Sequence, residues 1–498
     1  MKGRPCLFNL VVKLIALVVC FAGVLVVAAG VSESADIRDT IVKLYVVKSI
    51  PNYDTPWDNL SPQKTYSSGA IIEGNMIITS AHSVEDHSFV QVRRHGKPDK
   101  VTARVLYIGY LEDLALLTVD DPEFFEGVEP LSIGELPHIG QPVTVYGFPE
   151  GGERLSTNKG VVSRIDFAVY SHSYSNLPAI QIDAPINFGN SGAPVIIDGK
   201  MAGIVFQRKK RGENMGYMVP PTMINRFLKD VEDGRYDVIP RIGFKYQRIE
   251  NRAMKEYYKL GDKKTGVLVV KIAPGSPAEG RLHVGDIITA VDGHKIANDG
   301  SIELRPGDRI GYTYIINLHQ MGEPVVFDVL RNGKTVKLTL LPAVPPYLIE
   351  AVPYYHDRRP SYFIYGGIVF TPLTVNFLKT WGRNWFNSAP KWMTSALLNK
   401  YKQKKGEELV VAGKILPSEV NKGYENVLND RIVKVNGEEI LNLRDLIDKV
   451  EKGKNRPFTV FESEKGTRVI IDNRKAEETR DEIFKTYRVP ADRSEDLI

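Results

Sequence analysis

Between residues 41 and 231 the apolar positions fall in short runs broken by Gly, Pro, Asn and Asp. The runs at 41–47, 69–72, 76–78, 90–93, 114–119, 143–147, 179–182, 194–197 and 201–206 are rich in Val, Ile and Leu. Short β-type runs at this spacing predict an all-β barrel or sandwich. The pattern changes at 221–232, where Met223, Ile224, Phe227, Leu228 and Val231 recur at helical spacing. All five share one face of a 3.6-residue period, so a closing helix is expected there.

Downstream the chain repeats itself. The run GDIITAVDGHKI from Gly285 to Ile296 returns as NDRIVKVNGEEI from Asn429 to Ile440. In each copy an Asp leads into an alternating apolar strand that stops at Asp-Gly or Asn-Gly, a two-residue hairpin signal. Two homologous modules therefore follow the β-rich region. The Pro-rich stretch 342–360 separates them, and such composition acts as a semi-rigid spacer. Residues 476–498 are highly charged and end in Asp496-Leu497-Ile498. A helix with a free tail is expected there.

At 498 residues the chain is too long for one core, and about three domains is the prior. The 42 Gly and 30 Pro agree with a turn-rich β chain. The N-terminus differs: Lys2, Arg4 and Lys13 flank or precede an apolar stretch over 14–29, closed by Ala28-Ala29-Gly30. These are the marks of a cleavable secretory signal peptide, expected over 1–30. The stretch falls slightly short of the ~20 residues of a spanning helix; retention as a membrane anchor is the alternative. An exported, periplasmic or otherwise extracytoplasmic location follows. Removing those 30 residues lowers the formal net charge from +5 to +2, which leaves no argument for a nucleic-acid partner. The only cysteines, Cys6 and Cys20, lie in the same leader. Disulfides, thiolate catalysis and cysteine-ligated zinc are thereby excluded from the mature chain. No metal or cofactor is expected.

Three segments carry the chemistry: Thr79-Ser80-Ala81-His82, Glu112-Asp113-Leu114-Ala115, and the run from Asn187 to Pro194 around Ser191. A serine hydroxyl needs a base to take its proton, and the base needs a carboxylate to fix its tautomer. The order His82, Asp113, Ser191 is that of the chymotrypsin-type double barrel; nucleophile-elbow hydrolases run Ser, acid, His. Rival acids Asp86, Asp120 and Asp121 sit in turn-like surroundings and read as solvated loop residues. Gly189 and Gly192 allow a sharp turn at the nucleophile, where backbone N–H groups of Gly189 and Ser191 would form an oxyanion hole.

At these residues the chain resembles the HtrA/DegP family of serine endopeptidases with PDZ modules, over about residues 36–475. Segments at 305–312, 360–364 and 367–373 are similar to the plant-type Deg branch and its bacterial relatives. The resemblance implies a mainly β chain: a chymotrypsin-like double β-barrel protease domain over 36–232, then two α+β PDZ-like modules at 241–345 and 349–475. It implies an ATP-independent endopeptidase for unfolded or damaged proteins, built as a trimer or a multiple of it. Ala193 stands where the family has a second glycine after the nucleophile; one methyl there is expected to be tolerated, with a narrowed site as the alternative. Asn429 replaces the Gly285 of the first module, so the second is degenerate. Digestive relatives carry an Asp before the nucleophile that pairs with a newly cut N-terminus. Asn190 lacks that charge, so switching by loops at 170–177 and 208–215 is expected instead.

The trypsin-like arrangement puts Pro185, with Ile186, at the floor of the specificity pocket and Ile204, Val205 and Phe206 opposite. These apolar walls predict cleavage after small or medium aliphatic residues. The modules are expected to bind peptide C-termini or internal strands by strand addition. The first would use Arg241, Ile242, Gly243 and Phe244, and the second the loop near Gly366-Gly367-Ile368. A different class of function stays open at this point: a peptide-binding chaperone or scaffold with a latent protease fold.

Overall fold

The computed structural model describes residues 36–170, 176–208, 215–261, 264–342 and 344–498. The expected leader, and most of the two expected switch loops, lie outside the described residues.

Strands β1 (Ile41–Lys48), β2 (Gln63–Ile72), β3 (Met76–Thr79), β4 (His87–Arg94), β5 (Val101–Gly109) and β6 (Leu114–Val119) close a barrel in the order β1-β2-β3-β6-β5-β4. A second barrel follows from β7 (Pro142–Gly147), β8 (Ser156–Val169), β9 (Asn176–Ile182), β10 (Pro194–Ile197), β11 (Lys200–Arg208) and β12 (Gly216–Val219), in the order β10-β11-β12-β9-β8-β7. Closure leaves neither sheet with an open edge. The unbroken apolar run of β6 has a structural reason. Ala115, Leu117 and Val119 fill the first barrel, while Leu114 and Leu116 face a cluster shared with the closing helix Pro221–Asp230. That helix begins at a proline in its first turn, where the missing N–H costs nothing, and buries Met223, Ile224 and Phe227.

The repeat is two modules. The first has β13 (Phe244–Arg248), β14 (Val267–Ile272), β15 (Ile287–Val291), β16 (His294–Lys295), the hairpin β17 (Ser301–Arg305) and β18 (Asp308–Gly311), then β19 (Val325–Arg331) and β20 (Lys334–Leu340). The second has β21 (Phe363–Tyr365), β22 (Ile368–Pro372), β23 (Val410–Ile415), β24 (Ile432–Val435), β25 (Glu438–Glu439), β26 (Phe458–Ser463) and β27 (Arg468–Asp472). The repeated hairpins superpose in kind: Val291 pairs with His294 and Val435 with Glu438. Their turns have positive φ at Asp292, Gly293, Asn436 and Gly437, the two left-handed residues of a type I′ turn.

The C-terminal segment is no free tail. Helix Asn473–Tyr487 buries Ile483, Arg493 bridges Phe363, and Asp496 accepts from Arg358 at 2.9 Å. Residues 476–498 are thus tied to the second module.

Candidate active site

His82 leaves β3 on a one-turn helix, Ala81–Val84. Its main-chain carbonyl accepts from Lys48 Nζ at 2.6 Å. Asp113 ends the β5–β6 connection at φ 58° and is fully buried. That left-handed conformation costs an Asp less than most residues, and it aims the carboxylate back at His82. Asp113 Oδ1 accepts the His82 backbone N–H at 2.9 Å. The His82 Nδ1 lies 2.8 Å from Oδ2 and 3.0 Å from Oδ1. Nδ1 therefore carries the proton, and Nε2 is left as the basic nitrogen.

A third donor reaches the same carboxylate. Tyr170 Oη donates to Asp113 Oδ1 at 2.5 Å. Burial first, and the neighbouring Asp113 charge second, push the Tyr170 hydroxyl well above its ordinary range. It stays a donor. Sequence reading placed Tyr170 only at the start of a mobile loop, whereas here it is buried and packs edge-on against Phe206 at 5.8 Å.

Ser191 is carried by the loop between β9 and β10. Its carbonyl accepts from the Ser68 N–H at 2.9 Å, and the Gly192 N–H donates to Val205 at 2.8 Å. Gly192 has φ 77°, and a Cβ there would stand 2.1 Å from Thr79 Oγ1 and 2.2 Å from the Ser68 carbonyl. The serine loop thus presses on the strand end that leads into His82. At Gly189, φ 92°, a Cβ would collide with the carbonyl of Phe148 at 2.4 Å. Ser68 Oγ joins both sides, donating to the Gly189 carbonyl at 2.9 Å and accepting from the Phe148 N–H at 2.8 Å.

The Phe188 carbonyl accepts from the Glu150 N–H at 2.6 Å. In a trans peptide C=O and N–H point in opposite directions, so the Gly189 N–H is turned away from Glu150. Ala193 is fully buried within the second-barrel core. Its methyl faces the barrel interior beside Gly147, so it fills core space and does not narrow a substrate cleft. Asn190 is also buried, and its Oδ1 has no hydrogen-bond partner among the described residues.

Of the expected pocket, Pro185 is exposed and its carbonyl accepts from Asn158 at 2.7 Å. Ile186 is nearly buried, with Gly216 directly against it: a Cβ there would lie 2.5 Å from Ile186 Cγ1. Ile204, Val205 and Phe206 are all buried. Alternation along β11 splits them, with Ile204 and Phe206 in one cluster and Val205 in the other.

Glu112, beside Asp113, is a residue to which sequence reading gave no role of its own. It accepts from Arg226 at 2.8 Å and from Tyr236 at 2.6 Å. Burial pushes its carboxyl up, against the pull of Arg226. Arg226 also donates to the carbonyls of Val238 and His319, which joins the protease to the first module.

In that module Ile242, Gly243 and Phe244 line a cavity of about 1230 Å³ with Tyr246, Tyr312 and Ile316. Gly243 has φ 87°, and a Cβ would strike Ser276 at 2.1 Å. The Gly243 carbonyl accepts from Ala273, on the β14 side; Phe244 therefore faces the free edge, and Tyr401 Oη from the second module donates to its carbonyl at 2.9 Å. In the second module Gly366 and Gly367 both have positive φ, and Asn421 holds the Gly366 carbonyl at 2.9 Å. Among the described residues no group of His, Cys, Asp and Glu could hold a metal ion, and no helix is long and apolar enough to cross a membrane.

With this geometry in view, residues 67–204 match the Trypsin-like peptidase domain and 240–341 and 352–496 each match the PDZ domain. The mitochondrial Protease Do-like 4 of Arabidopsis thaliana is 37% identical over 463 residues, covering 92% of this chain and 86% of the relative. The chain belongs to the Do-like (Deg) family of serine proteases. The chloroplastic Protease Do-like 2 of the same plant is 36% identical, over 94% of this chain and 76% of its own length. An HtrA-type protease, AlgW with tripeptide, matches 62% of this chain and 95% of its own at 21% identity, with a TM-score of 0.49. As a Do-like protease the chain is a serine endopeptidase.

Proposed function

We propose that this Do-like protease cuts unfolded or damaged proteins with Ser191 as nucleophile, His82 as general base and Asp113 as the group that orients the imidazole. The observation that carries the reading is the double contact of His82, ring and backbone, with a fully buried Asp113. His82 takes the Ser191 proton as the hydroxyl attacks the scissile carbonyl. The imidazolium then forms against Asp113 and returns the proton to the leaving amine. The Gly189 and Ser191 N–H groups receive the developing oxyanion, each worth about 3–4 kcal/mol of barrier. The bonding of Phe188 to Glu150 supports a Gly189 N–H free to turn that way.

The apolar surroundings of Ile186 and Gly216 support cleavage after small or medium aliphatic residues. The first module captures peptide C-termini or internal strands along β13 through Ile242, Gly243 and Phe244, and so selects substrates without ATP. The working particle is a trimer or a multiple of it. Its leader delivers it outside the cytosol; the Do-like relatives are described as mitochondrial and chloroplastic.

Cleavage-site mapping on a denatured protein tests this. Cuts after Val, Ala, Ile or Leu, absent with Ser191→Ala, are expected. A map dominated by cuts after Lys or Arg contradicts the pocket.

A further inference from the structure

Just past His82 the chain enters a second polar cluster that the mechanism above does not use. Glu85 Oε1 lies 2.6 Å from His356 Nδ1 and accepts from the Tyr354 hydroxyl at 3.4 Å. Asp86, at φ 55°, donates its backbone N–H to Asp357 Oδ1 at 2.5 Å. Tyr110 donates its hydroxyl to the other oxygen of Asp357. Its ring lies flat on His356, with centroids 3.9 Å apart and planes 3° off parallel. Tyr53 adds a bond to the Arg358 carbonyl at 3.1 Å.

The placement of these contacts matters more than their number. Glu85 and Asp86 lie three and four residues after His82, and Tyr110 lies three before Asp113. His82 and Asp113 come from two different inter-strand connections, 31 residues apart. Residues 354–358 come from neither, because they lie within the match to the second module. They touch both connections at once. His356 and Glu85 side chains are only 12% and 11% exposed, so their contact is shielded from water. Asp113 itself holds a left-handed conformation, of the kind that persists only when the surroundings over-determine it.

We propose that residues 354–358 of the second module are a positioning element for the protease, in which His356 and Asp357 clamp the connection bearing His82 to the connection bearing Asp113. The catalytic pair then holds its geometry only while the second module is docked. This rests on the triad reading given above. His356 and Asp357 act through Glu85, Asp86 and Tyr110. Small misplacements of reacting groups cost about a hundredfold in rate, so a clamp at this distance has leverage on kcat. Tyr354, His356 and Arg358 also line the cavity of Ile242, Gly243 and Phe244, so the substrate in the test is a peptide too short to reach β13.

The test uses the full chain with His356→Ala, Asp357→Asn and their combination, and a peptide substrate. Rates are normalised to active sites titrated to completion with a fluorophosphonate, which removes misfolded molecules from the count. The double variant is expected to lose about tenfold or more in kcat while KM stays within about twofold. His356→Asn, whose amide nitrogen lies where Nδ1 does, is expected to recover most of what His356→Ala loses. A double variant whose normalised kcat stays within about twofold of the parent overturns the clamp. So does a loss that only tracks the number of titratable sites, or one that falls on KM alone. Hydrolysis retained by Ser191→Ala is a separate failure, since it sinks the triad reading and not the clamp.

Discussion

Tyr170 Oη donates to Asp113 Oδ1 at 2.5 Å. With the His82 backbone N–H and ring, this gives a fully buried carboxylate three donor groups. The imidazolium would form against a carboxylate fixed in place from three sides. Tyr170→Phe removes one donor and keeps the ring that packs on Phe206. A hydrogen bond to a charged group contributes about 1.5–3 kcal/mol, so kcat/KM should fall by about 10- to 100-fold. Steady-state kinetics check this, with unchanged near-UV circular dichroism as the sign that the fold is intact.

Gly192→Ala should be far more damaging than Gly151→Ala. Both glycines have positive φ, 77° and 79°, so both variants carry backbone strain of about 1–3 kcal/mol. Only at Gly192 does the new methyl also meet fixed atoms, the Thr79 hydroxyl and the Ser68 carbonyl; at Gly151 nothing lies within 4 Å. Thermal melts and activity on one substrate should show Gly151→Ala lowered in stability by that strain alone with near-parent activity, and Gly192→Ala depressed further in the melt and in activity.

The pairing of His82 with Asp113 was legible in sequence because each sits in a short local pattern, and chain order separates this fold from other hydrolases. The β-rich half was legible where strands are apolar on the core side. Strand β8 was missed because its first half, Ser156 to Gly160, is polar and glycine-containing. The repeated hairpins were plain because two left-handed turn residues demand Asp-Gly or Asn-Gly. Tyr170 was not legible: its partner lies 57 residues away, and no local pattern marks a distant hydroxyl. Asp86 read as a solvated loop acid for the same reason, since Asp357, 271 residues on, turns it into part of a junction with the second module. For Ala193 sequence left tolerance and narrowing both open, because it cannot say which side of a turn a methyl faces.

The junction should make stability depend on pH. Burial first, then the charges of Glu85 and Asp357, push the Asp86 carboxyl up to about 7, against Lys48 and Lys379. Burial raises Asp357 as well, with Glu85 adding to it and His87 and Lys48 opposing; His356 faces Glu85 from the same segment. The unfolded group titrates near 3.8, so the folded chain binds the extra proton between these values. The stabilising contribution is full below about pH 4 and is lost as pH rises to about 7. Asp86→Asn cannot ionise and tolerates the left-handed backbone. Its melting temperature should exceed the parent's at about pH 8, and the gap should shrink towards pH 5. A gap that widens on acidification contradicts the sign.

Tyr401 caps the Phe244 carbonyl on the free edge of β13, where strand addition would place a peptide N–H. Tyr401→Phe deletes the competing hydroxyl and keeps the packing against Ala273 and Ile349. Peptide affinity for the first module should rise by about 5- to 10-fold, the equivalent of one hydrogen bond of ~1 kcal/mol. Fluorescence anisotropy with a labelled peptide ending in an apolar residue measures it, and unchanged or weaker binding would show that the contact does not compete.

The triad itself is tested most directly by the rate and position of fluorophosphonate labelling in the full chain. A single adduct on Ser191 is expected, with labelling abolished in Ser191→Ala and slowed by about 10⁴-fold in Asp113→Asn, where the wrong imidazole tautomer faces the serine. An adduct on another residue, or an Asp113→Asn chain that labels as fast as the parent, would contradict it.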